Sequence, residues 1–288
     1  MILKRIKSLL LLFSLFLFSA CYGSWNFFYK GNNVDERTKT LSYLTDREAR
    51  FAASGISGLS GNYTVLILTD LHFGNTKKPV ETAKLFSWLN ALKNSSNYPV
   101  FAISLGDVVD LGYQSQYDEY LAFCNKLQNE YGIKLILNCC GNHDIYQGNW
   151  GNWEKNCYPH VSFYKFQTMN LSWYCLDTAS GTLGSQQFNR LVEDFRKDSR
   201  KKIIFNHYPL TRFNYDCSNF AETTERNKLI SEYSRNNVIC VLDGHNHDQT
   251  FDDLGFKNYG IPSFAYSNAW GLLFIDERAG TARLEFID

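Results

Sequence analysis

Val100-Phe101-Ala102-Ile103-Ser104-Leu105 runs without a break into Gly106-Asp107-Val108-Val109-Asp110. Six apolar or small residues of this kind read as a strand buried on both faces. The Gly-Asp that follows reads as a turn carrying carboxylates off its end. The same sentence is written four more times. Tyr63 to Thr69 ends in Asp70-Leu71-His72, and Ile133 to Cys139 runs into Cys140-Gly141-Asn142-His143-Asp144. Lys202 to Phe205 ends in Asn206-His207, and Val238 to Leu242 in Asp243-Gly244-His245-Asn246-His247.

Between these strands the apolar period changes from two to that of a helix, over residues 78–94, 117–131, 185–198 and 221–235, with Gly132 closing the second. Two further strands are expected at 161–166 and 171–176, and a hairpin at Gly271 to Ile275 and Ala282 to Ile287 around Glu277-Arg278-Ala279-Gly280. Strand-helix alternation followed by strand-rich text predicts an α/β domain with more than one sheet, a sandwich flanked by helices. In such a fold the carboxyl ends of neighbouring strands share one edge, so five loops would deliver their polar residues to one place.

Five of the six histidines, His72, His143, His207, His245 and His247, lie in those loops, and only His160 falls elsewhere. Imidazole with carboxylate and no thiolate suits Mn, Fe or Zn in a hydrolytic site rather than a structural zinc. The donors are numerous enough for two ions, about 3.5 to 4 Å apart in sites of this type.

The order Asp-x-His, Gly-Asp-x-x-Asp, Gly-Asn-His-Asp, His, Gly-His-x-His resembles the signature of the calcineurin-like metallophosphoesterases, spanning residues 70–247. The resemblance implies a four-layer αββα sandwich of two mixed β-sheets flanked by helices, over residues 62–288. It implies that Asp70, His72, Asp107 and His247 hold one ion. Asp107, Asn142, His207 and His245 would hold the other, with Asp107 shared and a hydroxide between the ions as nucleophile. His143 would face the substrate and serve the leaving oxygen, with Asp144, its catalytic companion, and Asp110 orienting it and its loop; both carboxylates read equally well as turn residues. Purple acid phosphatases, relatives by the same motif, carry Tyr where Asp110 stands, so a ferric site is not expected here.

The chain has 288 residues, 44% hydrophobic and 16% aromatic, with 29 acidic against 29 basic residues. A chain of this size buries enough surface to fold without staples. Balanced charge argues against a broad nucleic-acid surface, and the aromatic content excludes disorder. Residues 1–20 place Lys4, Arg5 and Lys7 before the apolar Leu9 to Ala20, the layout of a signal peptide, too short to span hydrocarbon. Ser19-Ala20-Cys21 resembles a bacterial lipobox, in which Cys21 takes a lipid anchor on the membrane; simple cleavage near Ala20 is the other reading. Residues 21–61 would then be a lipidated spacer, open to an early strand or helix within 22–61, and the protein an extracytoplasmic, envelope-anchored lipoprotein.

Cys124, Cys139, Cys140, Cys175 and Cys240 sit in apolar runs and read as core, while Cys157 and Cys217 are the disulfide candidates. Arg212 reads as a phosphate contact or a solvated charge, and Gly148 to Trp153 as an aromatic rim or as packing. The expected substrate is a small phosphorylated molecule, monoester or diester. A surface protein using the fold for ligand binding or adhesion, and a nuclease of the same superfamily, are the alternatives.

Overall fold

The computed structural model describes residues 33–45, 55–211 and 223–288. The signal-peptide reading, Cys21, Arg212 and Cys217 lie outside the described residues.

Two sheets form, as the αββα expectation requires. The first joins β2 (Asn62–Leu68), β3 (Pro99–Ser104), β4 (Ile136–Asn138), β11 (Trp270–Asp276) and β12 (Thr281–Ile287) in the order β12-β11-β2-β3-β4. The second joins β1 (Ser42–Tyr43), β5 (Tyr164–Gln167), β6 (Leu171–Cys175), β7 (Lys201–Phe205), β8 (Val238–Asp243), β9 (Thr250–Asp253) and β10 (Lys257–Gly260) in the order β1-β5-β6-β7-β8-β10-β9. β2, β3 and β4 are parallel neighbours, as are β6, β7 and β8. The strands that carry the polar loops therefore end at one edge of the sandwich.

Alternation along each strand builds three cores. Val65, Ile67, Phe101, Ile103 and Leu137 meet Trp173, Ile203, Phe205 and Leu242 between the sheets. Their neighbours Leu66, Leu68 and Ala102 face outward onto Leu85, Leu89, Tyr117 and Leu127 of α2 (Ala83–Leu92) and α3 (Gln114–Asn129). On the far side Tyr174, Ile204 and Val241 pack on Leu191, Phe195, Leu229 and Tyr233 of α5 (Gly184–Lys197) and α6 (Thr223–Arg235). Both faces of both sheets are covered, which is why the central strands read as continuous apolar runs.

Several details differ from the sequence reading. α2 starts at Ala83 rather than 78, because Asn75 Oδ1 accepts the amides of Lys77 and Lys78 in a turn and Pro79 disfavours helix before it. β4 is three residues long. The span 21–61 contains both a short helix and a short strand. α1 (Val34–Arg37) packs against α5, and β1 adds a parallel edge to β5, so the folded unit extends N-terminally of residue 62. Cys157 is a fully buried free thiol rather than a disulfide partner, as are Cys139, Cys140, Cys175 and Cys240. Gly148 to Trp153 is packing and not a rim: it leads into α4 (Trp150–Asn156), Trp153 is completely buried, and Asn149 and Asn152 donate to the carbonyls of Leu111 and Gly112.

Candidate metal centre

Each strand end delivers a donor. Asp70 and His72 follow β2, Asp107 follows β3, Asn142 follows β4, His207 follows β7, and His245 and His247 follow β8. Asp70, His72, Asp107, His245 and His247 all have φ between 48° and 65°, a left-handed backbone unusual for residues with side chains. Conformations of this kind persist only where surrounding contacts hold them. The amides of Asp70 and His72 donate to the carbonyls of Gly106 and Asp107, which stitches the first two loops together. Asp70 Oδ2 accepts the Thr69 hydroxyl at 2.6 Å and the His245 amide at 3.0 Å. The His207 and Tyr208 amides both donate to the Thr178 hydroxyl.

The donors fall into three linked sets, the ligand atoms within each lying within 4.8 Å of one another. One contains Asp70, His72 and His247, and another Asp107, His207 and His245. Asp107 also clusters with His72 and His143, so it stands between the other two sets.

On the second side, His207 donates Nδ1–H to the Leu105 carbonyl at 2.9 Å. Its Nε2 then lies 3.2 Å from Asp107 Oδ2 and 3.1 Å from Asn142 Oδ1. Three lone-pair atoms cannot converge on one point without a positive charge among them. In the ion-free chain that charge is a proton: burial alone would lower the His207 pKa, but the Asp107 charge and hydrogen bond raise it to about 9. Burial likewise works against ionised Asp107, yet His207 holds that carboxyl well below the usual range.

On the first side, Asp70 Oδ1 and both ring nitrogens of His72 are buried without a hydrogen-bond partner. Buried polar atoms left in this state are costly. Asp70 Oδ1 is 3.2 Å from His247 Nε2 and 3.8 Å from His72 Nε2. A dication here would take Asp70 Oδ1 and His72 Nε2, leaving His72 Nδ1 beside Asp110 Oδ1 at 3.4 Å, and a second would suit the His207 side, so the residues present suit two metal ions of the nitrogen- and oxygen-loving kind.

His143 is placed differently. Its Nδ1 is 2.7 Å from the Asp110 carbonyl and its Nε2 is 3.3 Å from the Tyr146 hydroxyl, so both nitrogens are engaged. The ring stands edge-on to His72 with centroids 4.6 Å apart, at the mouth of the centre. The Asp144 carboxylate bonds backbone amides rather than that ring. Fully buried, it accepts the amides of Asp107 and Val109 from the loop after β3 and of Gly141 from its own loop after β4, and so ties these two loops together. Burial, with the Asp107 charge, pushes its pKa up to about 8. Asp110 acts through its carbonyl on His143 and through Oδ1, which lies 3.4 Å from His72 Nδ1 and accepts from Asn75. His160 bonds the Glu154 carbonyl, away from the centre.

Three tyrosines at the mouth escaped the sequence reading. Tyr208 stacks on His245 at 3.8 Å and Tyr266 on His247 at 4.9 Å, while Tyr146 covers His143 at 4.3 Å. In a chain with 18 tyrosines nothing marks these three, except that Tyr208 directly follows His207.

Comparison with known proteins agrees with this geometry. The calcineurin-like phosphoesterase family matches residues 63–249. No curated protein matches the chain by sequence. Among solved structures, a dimetal phosphatase from Danio rerio superposes with a TM-score of 0.60 at 13% identity, over 75% of this chain and 93% of that one. GAP50, the anchor in the inner membrane complex of Plasmodium, superposes with a TM-score of 0.53 at 12% identity, over 80% of this chain and 85% of that one. At such identities the likeness is one of fold.

Proposed function

The chain belongs to the calcineurin-like phosphoesterases, and on that premise we propose that it hydrolyses a small phosphate ester at a two-ion centre, from an extracytoplasmic position on a lipid anchor at Cys21. The observation that carries the hydrolytic reading is the convergence of Asp107 Oδ2, Asn142 Oδ1 and His207 Nε2, three atoms that can stand this close only with a proton or a metal ion among them. Bound divalent ions would supply Lewis-acid polarisation of the phosphoryl oxygens and activation of water at neutral pH.

The chain's own groups do the rest. Asp70, His72 and His247 would hold one ion, Asn142, His207 and His245 the other, with Asp107 common to both. The Leu105 carbonyl fixes the His207 tautomer so that Nε2 faces the centre. The Asp110 carbonyl does the same for His143, leaving its Nε2 toward the mouth, where it can pass a proton to the departing oxygen. Asp144 keeps the loops after β3 and β4 in register.

An activity panel on protein reconstituted with Mn, Fe(II) or Zn tests this, comparing bis-aryl phosphates, mono-aryl phosphates, nucleotides and short oligonucleotides. Turnover that disappears together with two-ion binding in Asp107→Ala is the expected result. Retained activity in that variant sinks the assignment, and no turnover on any ester would favour a binding role on the same fold. The anchor rests on Ser19-Ala20-Cys21 behind its basic and apolar stretch. Metabolic labelling with a radioactive fatty acid should mark the wild type and not Cys21→Ser; an unlabelled wild type removes that part of the reading.

A further inference from the structure

Tyr146 stands where two parts of the centre meet. The 3-10 segment His143–Gly148 is broken at Tyr146 (φ −53°, ψ 147°) and Gln147 (φ 56°, ψ 23°). The break turns the Tyr146 ring back over His143 instead of letting it continue along the helix. Gln147 is held in this position by the Tyr113 hydroxyl, which donates to its Oε1 at 3.1 Å. The Tyr146 hydroxyl then accepts from Asn142 Nδ2 at 3.1 Å and lies 3.3 Å from His143 Nε2.

We propose that Tyr146 is a positioning residue for the Asn142 ligand and for His143: by taking Asn142 Nδ2–H it presents Asn142 Oδ1 to the His207 side, and by its own O–H it holds the His143 imidazole over the mouth. The first part follows from the two ends of one amide. Asn142 is useful to a cation only through oxygen, and its side chain would serve as well turned over, with nitrogen inward, if nothing outside distinguished the two ends. Tyr146 is the group that engages the nitrogen end, while Oδ1 sits 3.1 Å from His207 Nε2. The second part follows from the hydroxyl's double capacity. With Nδ1 on the Asp110 carbonyl, neutral His143 has an accepting Nε2, to which the phenol donates; charged His143 has an Nε2–H, which the phenol can accept. The ring is therefore held in either protonation state, at a residue 38% exposed and so within reach of an entering substrate.

This inference rests on the two-ion reading, and Tyr146→Phe tests it without removing the ring. Mn²⁺ titration of the ion-free wild type, followed by calorimetry and by the free-Mn²⁺ electron paramagnetic signal, should show two ions bound. In Tyr146→Phe one step should weaken about 10-fold, the usual scale for losing a hydrogen bond behind a metal ligand. The other step and the melting temperature of the ion-free protein should stay as in wild type. A merely structural tyrosine would shift the melting temperature or both steps together. Two steps of wild-type affinity in Tyr146→Phe overturn the proposal, as does equal weakening of both. A wild type that binds two ions but cleaves no phosphate ester would remove the hydrolase reading alone, since Tyr146 is judged by ion affinity.

Discussion

Arg37 and Asp177 form a buried, two-point ion pair, Nε to Oδ2 at 2.7 Å and Nη2 to Oδ1 at 2.9 Å, with both side chains at most 1% exposed. The pair fastens α1 to the turn after β6, whose next residue, Thr178, accepts the amides of His207 and Tyr208. A segment far from the motif loops in sequence thus braces a metal-ligand loop. Arg37→Ala leaves the Asp177 carboxylate buried and unpaired, for which a loss of about 3–5 kcal/mol is expected. Urea unfolding of the ion-free protein measures it; a loss below about 1 kcal/mol would mean that water reaches the carboxylate.

Gly141 has no room for a side chain. A Cβ there would strike the backbone nitrogen and Oδ1 of Asp107. Because backbone cannot swing aside as a flexible side chain does, Gly141→Ala must push apart the loops bearing Asp107 and Asn142. Overpacking of this kind costs about 1–3 kcal/mol. The larger consequence falls on the site: two-ion binding should fail while far-ultraviolet circular dichroism is kept. Normal Mn²⁺ titration in Gly141→Ala would contradict the close approach.

What was legible in the sequence and what was not divides along physical lines. Asp70, His72, Asp107, Asn142, His207, His245 and His247 could be read because ligands must follow strands, and buried strands are continuous apolar runs. β9 and β10 could not, since Thr250-Phe251-Asp252-Asp253 pairs at a sheet edge where charge is tolerated and alternation is weak. β1 has two residues and exists through its pairing with β5. Cys157 looked like a loop cysteine because its neighbours are polar, but it ends α4 against the α2–α3 core. The roles of Tyr146 and Thr178 depend on a hydroxyl meeting a partner, for which sequence carries no period.

Asp198 should set part of the acid stability. Burial opposes its charge, but the Ser172 hydroxyl, the Arg200 amide and nearby Lys202 hold its pKa below the ordinary value. A carboxyl depressed in the folded state contributes stability that is complete above its unfolded pKa, about 3.9, and lost as pH falls through the lower folded value. Asp198→Asn should lower stability at pH 7 by about 1.5–3 kcal/mol, the scale of hydrogen bonds to a charged group. It should also flatten the decline below about pH 4. Parallel acid titrations of wild type and variant would expose the error if their difference stayed constant.

His207 makes ion uptake and pH interdependent. With a pKa of about 9 in the ion-free chain, it carries a proton on Nε2 at pH 7.5, the atom that must be bare to hold a metal. Binding should therefore release close to one proton at that pH, with the release fading as pH rises past about 9. Calorimetry of Zn²⁺ or Mn²⁺ binding in buffers of different ionisation enthalpy counts that proton. The same raised pKa gives the ion-free fold stability that is fully present below the unfolded value, about 6.5, and lost as pH climbs toward 9. Asp144, pushed up to about 8, acts in the same direction because its protonated form is the one the fold favours. Ion-free protein should consequently melt at a lower temperature at pH 8.5 than at pH 6.5. Each ion held at about 100 times its Kd adds roughly 2.7 kcal/mol at either pH. Binding at pH 7.5 without proton release would mean that Nε2 and the two oxygens beside it tolerate one another without a proton among them, and the cation argument at His207 would fall.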